Sequence, residues 1–354
     1  MTGDTVGGVW NFTMELAEAL GDQKVEVILA ALGGEPSKAQ RLEAAEIPTL
    51  TLLASDWKLE WMDSPWQDVE ESGKWLLDLE KEYAPDVVHL NSFGHGALPW
   101  RTPVVLTAHS CMASWWSAVK HAPLPPAWNR YCRVVEAALT SVNAITAPSH
   151  AMLCTLGENY GIDVESESFR VIPNGRRASR FHVDIKDPFL LTAGRLWDEA
   201  KNIAAVANAA PQLPWPVYLA GSASGPVDGC RMLGQLSSDT LAGWYARAAI
   251  YVLPARYEPF GLSVLEAALS GCALVLGDIP SLRELWDGAA ILVPPEDTEA
   301  LAAACQDLIA NPPLREELAR ESLERARAFT PERMASAYLA TYEVAMKESY
   351  ACAS

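Results

Sequence analysis

Ile250-Tyr251-Val252-Leu253-Pro254-Ala255-Arg256-Tyr257-Glu258-Pro259-Phe260-Gly261-Leu262-Ser263-Val264-Leu265-Glu266 reads as a strand, a turn and the start of a helix. Ile250–Leu253 is a continuous apolar run of the kind buried in parallel sheets. Ser263 to Leu269 has helical spacing, and Gly271 is placed to stop the helix. Gly261 falls where the helix opens, where first-turn N–H groups form an anion site. Without a Cβ it lets a phosphate or sugar hydroxyl approach the backbone. Glu258 stands in the turn and Glu266 in the helix. Two carboxylates at one pocket can accept charge-assisted hydrogen bonds from vicinal hydroxyls of two sugars. Taken alone, the same acids also suit a solvated loop and a helix surface.

Upstream, Gly194-Arg195-Leu196-Trp197-Asp198-Glu199-Ala200-Lys201-Asn202 follows the apolar run Phe189–Ala193 directly. Arg195 and Lys201 then flank a helix N-terminus. A guanidinium that binds bidentately and an ammonium acting as a point charge suit a diphosphate; two solvated cations are the plain alternative. Further strands are expected at Val217–Ala220, Arg231–Leu233, Ala273–Leu276 and Ala290–Val293. Helices are expected at Asn202–Ala210, Ser238–Ala248, Leu282–Leu285, Thr298–Ala310, Pro312–Phe329 and Pro331–Tyr350. The polar stretch after Asn174-Gly175 (Arg176, Arg177, Arg180, His182, Asp184, Lys186, Asp187) reads as an interdomain linker.

The first half repeats the pattern. A glycine turn at Asp4-Thr5-Val6-Gly7-Gly8 precedes Val9, Phe12, Leu16, Ala19 and Leu20 at helical spacing. Strands are expected at Val25–Ala31, Thr49–Leu53, Val87–Leu90, Val104–Thr107, Ala144–Ala147 and Phe169–Ile172. Helices fall around Ser37–Ala45, Trp66–Tyr83 and Trp128–Leu139. This alternation predicts doubly wound α/β sheets. Only Met1-Thr2-Gly3 precedes the first glycine turn, so the expectation is a sheet lacking its first strand or a natural chain that starts upstream. His109 ends the run Val104–Thr107, at the carboxyl end of a strand where open α/β sheets bind ligands. A core histidine bonded to the backbone fits equally, and His89, inside a strand, reads as structural. Nine of the thirteen tryptophans lie in this half. Trp57, Trp61 and Trp66 recur at helix-like spacing. Trp115 and Trp116, near His109, fit either core packing or a sugar-stacking surface.

At 354 residues, half of them hydrophobic and 20% charged, the chain predicts two globular domains. A formal net charge of −18 argues against nucleic acid or an anionic membrane as partner. No apolar run spans a bilayer and no basic-then-apolar signal segment opens the chain. Seven scattered cysteines without a C-x-x-C pair predict reduced thiols in a cytoplasmic protein.

Together these segments resemble the retaining glycosyltransferases of family 4, the group 1 glycosyltransferases of GT-B fold. The resemblance rests on Thr5-Val6-Gly7-Gly8-Val9, Leu106-Thr107-Ala108-His109, Ile172-Pro173-Asn174-Gly175, Gly194-Arg195 with Lys201-Asn202, Gly221, and Glu258-Pro259-Phe260-Gly261-Leu262 through Glu266, in the family's order. It implies two Rossmann-like domains facing each other across a cleft, over 1–178 and 179–334, with 335–354 returning to the first. It implies Glu266 on the nucleotide ribose and Glu258 on the donor sugar, beside the backbone of Phe260 and Gly261. Arg195 and Lys201, with backbone around Leu262 and Ser263, would neutralise the diphosphate. His109 would face the donor sugar, Gly7 and Gly8 would keep the wall close to the phosphates, Asn174 would join the donor site, and Gly221 with Leu236 would shape the base pocket. The implied reaction transfers a hexosyl group from a nucleotide diphosphate sugar, UDP-glucose-like, to a sugar or glycan hydroxyl in polysaccharide or glycoconjugate synthesis. It proceeds with retention, with no cofactor and no metal, and with membrane association at most peripheral. An epimerase or hydrolase on the same fold, and a non-catalytic sugar-nucleotide binder, are the other readings. The sequence departs from the family in the first strand, in Arg176-Arg177 after Asn174-Gly175, and in Ala255-Arg256-Tyr257 before Glu258.

Overall fold

The computed structural model describes residues 1–353, with side chains described through Lys347. The chain forms two α/β units. One comprises Met1–Ser117, Ala122–Gly175 and the chain from Pro331 onward; the other comprises Ala118–His121 and Arg176–Thr330. In the first, strands β1 (Thr2–Asp4), β2 (Val27–Leu32) and β3 (Leu50–Ala54) pair in parallel. Strands β4 (Val88–Leu90), β5 (Val104–Thr107), β6 (Ala144–Ala147) and β7 (Phe169–Val171) form a second parallel set. Asn91, just past β4, joins the two: its backbone N–H donates to Thr2 Oγ1 at 2.9 Å and its Nδ2 to the Thr2 carbonyl at 2.6 Å. Helices α1 (Gly8–Asp22), α2 (Lys38–Ala45), α3 (Trp66–Tyr83), α4 (Met112–Lys120), α5 (Asn129–Ser141) and α6 (His150–Tyr160) connect them.

The first strand is present, contrary to the expectation from sequence. Thr2–Asp4 pairs with Ala30–Leu32, and all three of its residues are buried. It escapes a pattern search because it is too short, and too polar, to register as an apolar run. The helix-like spacing of Trp57 and Trp61 also fails as a predictor, since both lie in non-helical chain before α3. Trp57 packs instead against Trp75 at 5.2 Å between ring centroids.

The second unit is one six-stranded parallel sheet: β8 (Asp187–Ala193), β9 (Val217–Ala220), β10 (Arg231–Gly234), β11 (Ala248–Leu253), β12 (Ala273–Gly277) and β13 (Ile291–Val293). Their order is β10-β9-β8-β11-β12-β13, the doubly wound arrangement in which strand order reverses between β8 and β11. Every residue of β11 and β12 is buried, as expected for strands covered on both faces. Helices α7 (Ile203–Ala209), α8 (Ser238–Arg247), α9 (Leu262–Leu269), α10 (Pro280–Trp286), α11 (Thr298–Ala310) and α12 (Pro312–Ala326) supply those faces.

The polar stretch read as an interdomain linker begins at the boundary between the two units, and some of its charges are drawn into the second unit. Arg176 is buried, and its backbone N–H donates to the Phe329 carbonyl at 3.0 Å. Lys186 Nζ donates to Ala246 O at 2.8 Å and to Ser270 O, capping the carbonyl ends of α8 and α9. Cations at helix C-termini satisfy orphan carbonyls and oppose the dipole. Burial pushes the Lys186 ammonium below its ordinary value. Composition does not show this, because Arg176 and Lys186 each find partners remote in the sequence.

The last helix, α13 (Pro331–Ala353), belongs to the first unit and packs on α1. A buried polar chain holds it. His89 Nδ1 meets Tyr342 Oη and His89 Nε2 meets Thr107 Oγ1, both at 2.7 Å. Thr107 Oγ1 also meets Thr146 Oγ1 at 2.7 Å and Tyr338 Oη at 3.0 Å. Burial holds His89 well below its ordinary pKa and lowers fully enclosed His95, bonded to Ser72 Oγ at 2.9 Å, to about 4. Both are neutral in the fold, whereas unfolded histidines take up protons below about pH 6.5. Stability present above pH 6.5 is therefore lost as pH falls towards 4, by about 2 kcal/mol for His95 between pH 7 and pH 5. Urea unfolding at pH 7 and pH 5 is expected to show that loss, and a His95→Gln variant to lose correspondingly less over the same interval.

Candidate functional site

The carboxyl ends of β8 and β11, either side of the strand-order reversal, bring the expected residues of the second unit together. Gly194 leaves β8 at φ +146 and Gly221 leaves β9 at φ +139, conformations glycine adopts freely. A Cβ on Gly221 would lie 1.9 Å from the Gly194 carbonyl oxygen. No side chain fits there, so the two backbones touch and the loops above them lie close to the sheet. Past Gly194, Asp198 caps the turn by accepting from the Ala200 N–H at 3.0 Å and accepts from Arg195 Nη2 at 3.1 Å. Arg195 keeps 44% of its side chain exposed while Asp198 keeps 7%, so a buried anion aims an accessible guanidinium. Asn202 turns the chain into α7 in a left-handed conformation, its Nδ2 donating to Pro254 O at 3.0 Å and Pro295 O at 2.7 Å.

From the other side, the loop after β11 is tied to the same turn. The Arg256 N–H donates to Ala200 O at 2.8 Å, and its guanidinium grips both carboxylate oxygens of Glu296. Lys201 Nζ is hydrogen-bonded to Glu258 Oε2, with 15% and 12% of the two side chains exposed. Ser281 Oγ donates to the Glu258 carbonyl. Phe260 is buried against Phe329, and Gly261 opens α9 at φ +89. Ser263, in the first turn of α9, accepts from Tyr251 Oη at 2.8 Å. Glu266, in the next turn, is ion-paired with Arg176 at 2.7 Å, both nearly enclosed. Leu236, past β10, packs on the core beneath while remaining partly exposed.

In the first unit, Gly7 precedes α1 at φ +81 and Gly8 begins it, with the Val6 N–H held by Asp4 Oδ1 at 2.7 Å. His109 follows β5. Its Nε2 lies 2.8 Å from Asn91 Oδ1, while Asn91 Nδ2 is committed to Thr2 O. The amide thus presents its oxygen to the ring, which assigns the proton to Nε2 and leaves Nδ1 as an acceptor. Phe12 meets the ring edge-on at 4.5 Å. Burial lowers the His109 pKa to about 3. Asn174, before the unit boundary, is buried. Trp115 and Trp116 are half-buried neighbours with centroids 6.1 Å apart. Among the described residues no group of three or more His, Cys, Asp or Glu converges as a metal-ligand set.

Sequence reading missed Asn91, Phe12, Asp198, Tyr251 and Arg176. Asp198 carried a signal, lying three residues after Arg195; the others act across distances in sequence that no spacing reveals. A Gly221→Ala variant is expected to lose more than about 2 kcal/mol in thermal unfolding, because backbone rather than a flexible side chain must move. Ring NMR signals of His109 are expected to show no titration between pH 8 and pH 5, with protonation only near pH 3.

Residues 6–180 match the model of Glycosyltransferase Family 4, and residues 187–311 that of the group 1 glycosyl transferases. The chain is 27% identical over 404 aligned positions to a D-inositol 3-phosphate glycosyltransferase of Frankia alni, covering 98% of this chain and 96% of that protein. It is 27% identical to a glycogen synthase of Mycobacterium tuberculosis over 70% of this chain. The chain spans 37% to 66% of the length of the first curated relatives it matches. Its fold superposes on sucrose-phosphate synthase of Thermosynechococcus elongatus with TM-score 0.77 at 21% identity, covering 97% of this chain and 94% of that one. Anabaena HepE, solved with UDP and glucose, superposes with TM-score 0.74 at 17% identity, covering 95% and 96%. Two family models that together span most of the chain, on two parallel α/β units, place it among the family 4, group 1 glycosyltransferases of GT-B fold.

Proposed function

We propose that the chain is a retaining hexosyltransferase that moves a sugar from a nucleoside diphosphate sugar, UDP-glucose-like, to a hydroxyl of a sugar or glycan. The observation that carries this reading is the convergence, at the strand-order reversal of the second unit, of Arg195, the Lys201–Glu258 pair, the N-terminus of α9 and the enclosed Glu266. Departure of a diphosphate concentrates negative charge, and preorganised donors aimed at that charge lower the barrier. Arg195 offers a planar fork. Lys201 Nζ has three protons, so donation to Glu258 leaves two for phosphate oxygens. The free N–H groups that open α9 at Gly261, Leu262 and Ser263 add the positive end of the helix dipole.

Glu258 and the backbone of Phe260 and Gly261 hold the donor sugar in this reading, and Glu266 accepts from the ribose. Neutral His109 accepts a hydrogen bond from a sugar hydroxyl through Nδ1. Gly7 and Gly8 give the phosphates room, Asn174 supports the donor, and Gly221 with Leu236 borders the base. In the transfer step the bond from the anomeric carbon to phosphate oxygen breaks and a bond to the acceptor oxygen forms on the same face. The acceptor proton passes to the departing phosphate. No metal or cofactor enters the scheme, because Arg195, Lys201 and the α9 terminus carry the leaving-group charge. The reading places the transfer in cytoplasmic polysaccharide or glycoconjugate synthesis; no helix among the described residues is long and apolar enough to cross a membrane. A uridine nucleotide is the donor in this reading, as in the HepE complex with UDP and glucose.

Mass spectrometry of products from UDP-glucose and candidate acceptors tests the class: acceptor-linked hexose is expected, and free glucose alone would mean a hydrolase. Arg195→Ala and Lys201→Ala are each expected to lower turnover by about 10²-fold, the scale of losing one charge-stabilising donor. A fall of less than about fivefold would remove them from the diphosphate site.

A further inference from the structure

Arg176 is one of the residues at which the sequence departs from the family, and it opens the polar stretch read as an interdomain linker. The structure makes it one of the most enclosed cations in the chain. Its side chain is 6% exposed, against 9% for Glu266, and Nη2 lies 2.7 Å from Glu266 Oε1. Its backbone N–H is bonded to Phe329 O at 3.0 Å, its guanidinium lies 5.5 Å from the Phe181 ring centroid, and Phe329 packs edge-on against Phe260 of the Glu-Pro-Phe-Gly turn. Arg176, Phe329 and Phe260 therefore form one packed unit beneath α9. Arg176, Phe329 and Glu266 lie in the same α/β unit, so the pair belongs to a single sheet-and-helix frame.

We propose that Arg176 is a positioning residue for nucleotide recognition. It holds one oxygen of Glu266 so that the other is presented, in one fixed orientation, to the ribose hydroxyls. This deepens the reading given above and rests on Glu266 as the ribose ligand. A buried carboxylate without a partner cation would rotate toward water or recruit it. A planar guanidinium restrains carboxylate orientation, which an ammonium does less well. The specificity this gives is for the sugar of the nucleotide, not for its base or its phosphates, which other residues meet.

Calorimetric titration with UDP and with 2′-deoxy-UDP separates positioning from folding. The wild type is expected to prefer UDP by about tenfold or more, the size of one hydrogen bond to a charged group. Glu266→Gln should bring that preference to within about twofold. Arg176→Met should lower it by about fivefold or more while changing 2′-deoxy-UDP affinity by less than about threefold, and Arg176→Lys should restore part of it. Should Arg176→Met not fold, Arg176→Lys decides: an unchanged preference overturns the proposal. Equal weakening of both nucleotides by Arg176→Met also overturns it, leaving a structural role. If Glu266→Gln keeps the full preference, or if the wild type binds neither nucleotide, the ribose reading itself falls and the proposal with it.

Discussion

A carboxylate withdrawn from water has to bring a counter-charge with it, and the second unit does this twice within one short motif. Glu258 is enclosed with Lys201 from the loop after β8, and Glu266 with Arg176 from the segment leading into that unit. The attraction in each pair is about 4 kcal/mol at an effective dielectric near 20, while desolvation costs several kcal/mol per ion. The net stabilisation is therefore close to nil. What the pairs give is geometry: each carboxylate is held at one angle by a partner from another segment of the same unit, and the stretch from the turn after β11 into α9 is held at two points.

Backbone contact is the second requirement. Loops that carry charge can serve a phosphate only if they sit down on the sheet, and here they do so through glycine. The Gly194–Gly221 approach admits no Cβ, and Gly277 likewise faces the Ala255 carbonyl, with a Cβ position only 2.3 Å from that oxygen. These contacts lie at the ends of β8, β9, β11 and β12, around the point where strand order reverses. The first unit solves a different problem with neutral groups. His89, Thr107, Thr146, Tyr338 and Tyr342 satisfy one another in a dry core and hold α13 to the sheet. His109 is kept uncharged above the same strands, so it is an acceptor at physiological pH and not a cation.

Much of the fold was legible in the chain. The apolar runs at Val104–Thr107, Ala144–Ala147 and Val217–Ala220 coincide with β5, β6 and β9, and the helix over Trp66–Tyr83 coincides with α3. Buried parallel strands and amphipathic helices leave strong periodic signals. Thr2–Asp4 left none, because three residues of mixed polarity carry no period. Trp57 and Trp61 gave a false one, since a recurrence of aromatic rings does not by itself make a helix. Among the site residues, Arg195, Lys201, Glu258, Gly261 and Glu266 were visible as chemistry in a suitable local frame.

Residue types and their spacing thus determined by themselves the two α/β halves, the anion-suited turn before α9 and the family to which the chain belongs. Only the tertiary structure decided which charge meets which. Lys201 lies 57 positions from Glu258, and Arg176 far from Glu266, so their pairing is set by the order of strands and not by local sequence. Tertiary structure likewise buried Arg176 within a polar stretch, drew the partly buried Lys186 onto the ends of α8 and α9, and made His109 a neutral acceptor. Burial and partner geometry govern charge states, and both arise only when segments remote in the chain are brought together.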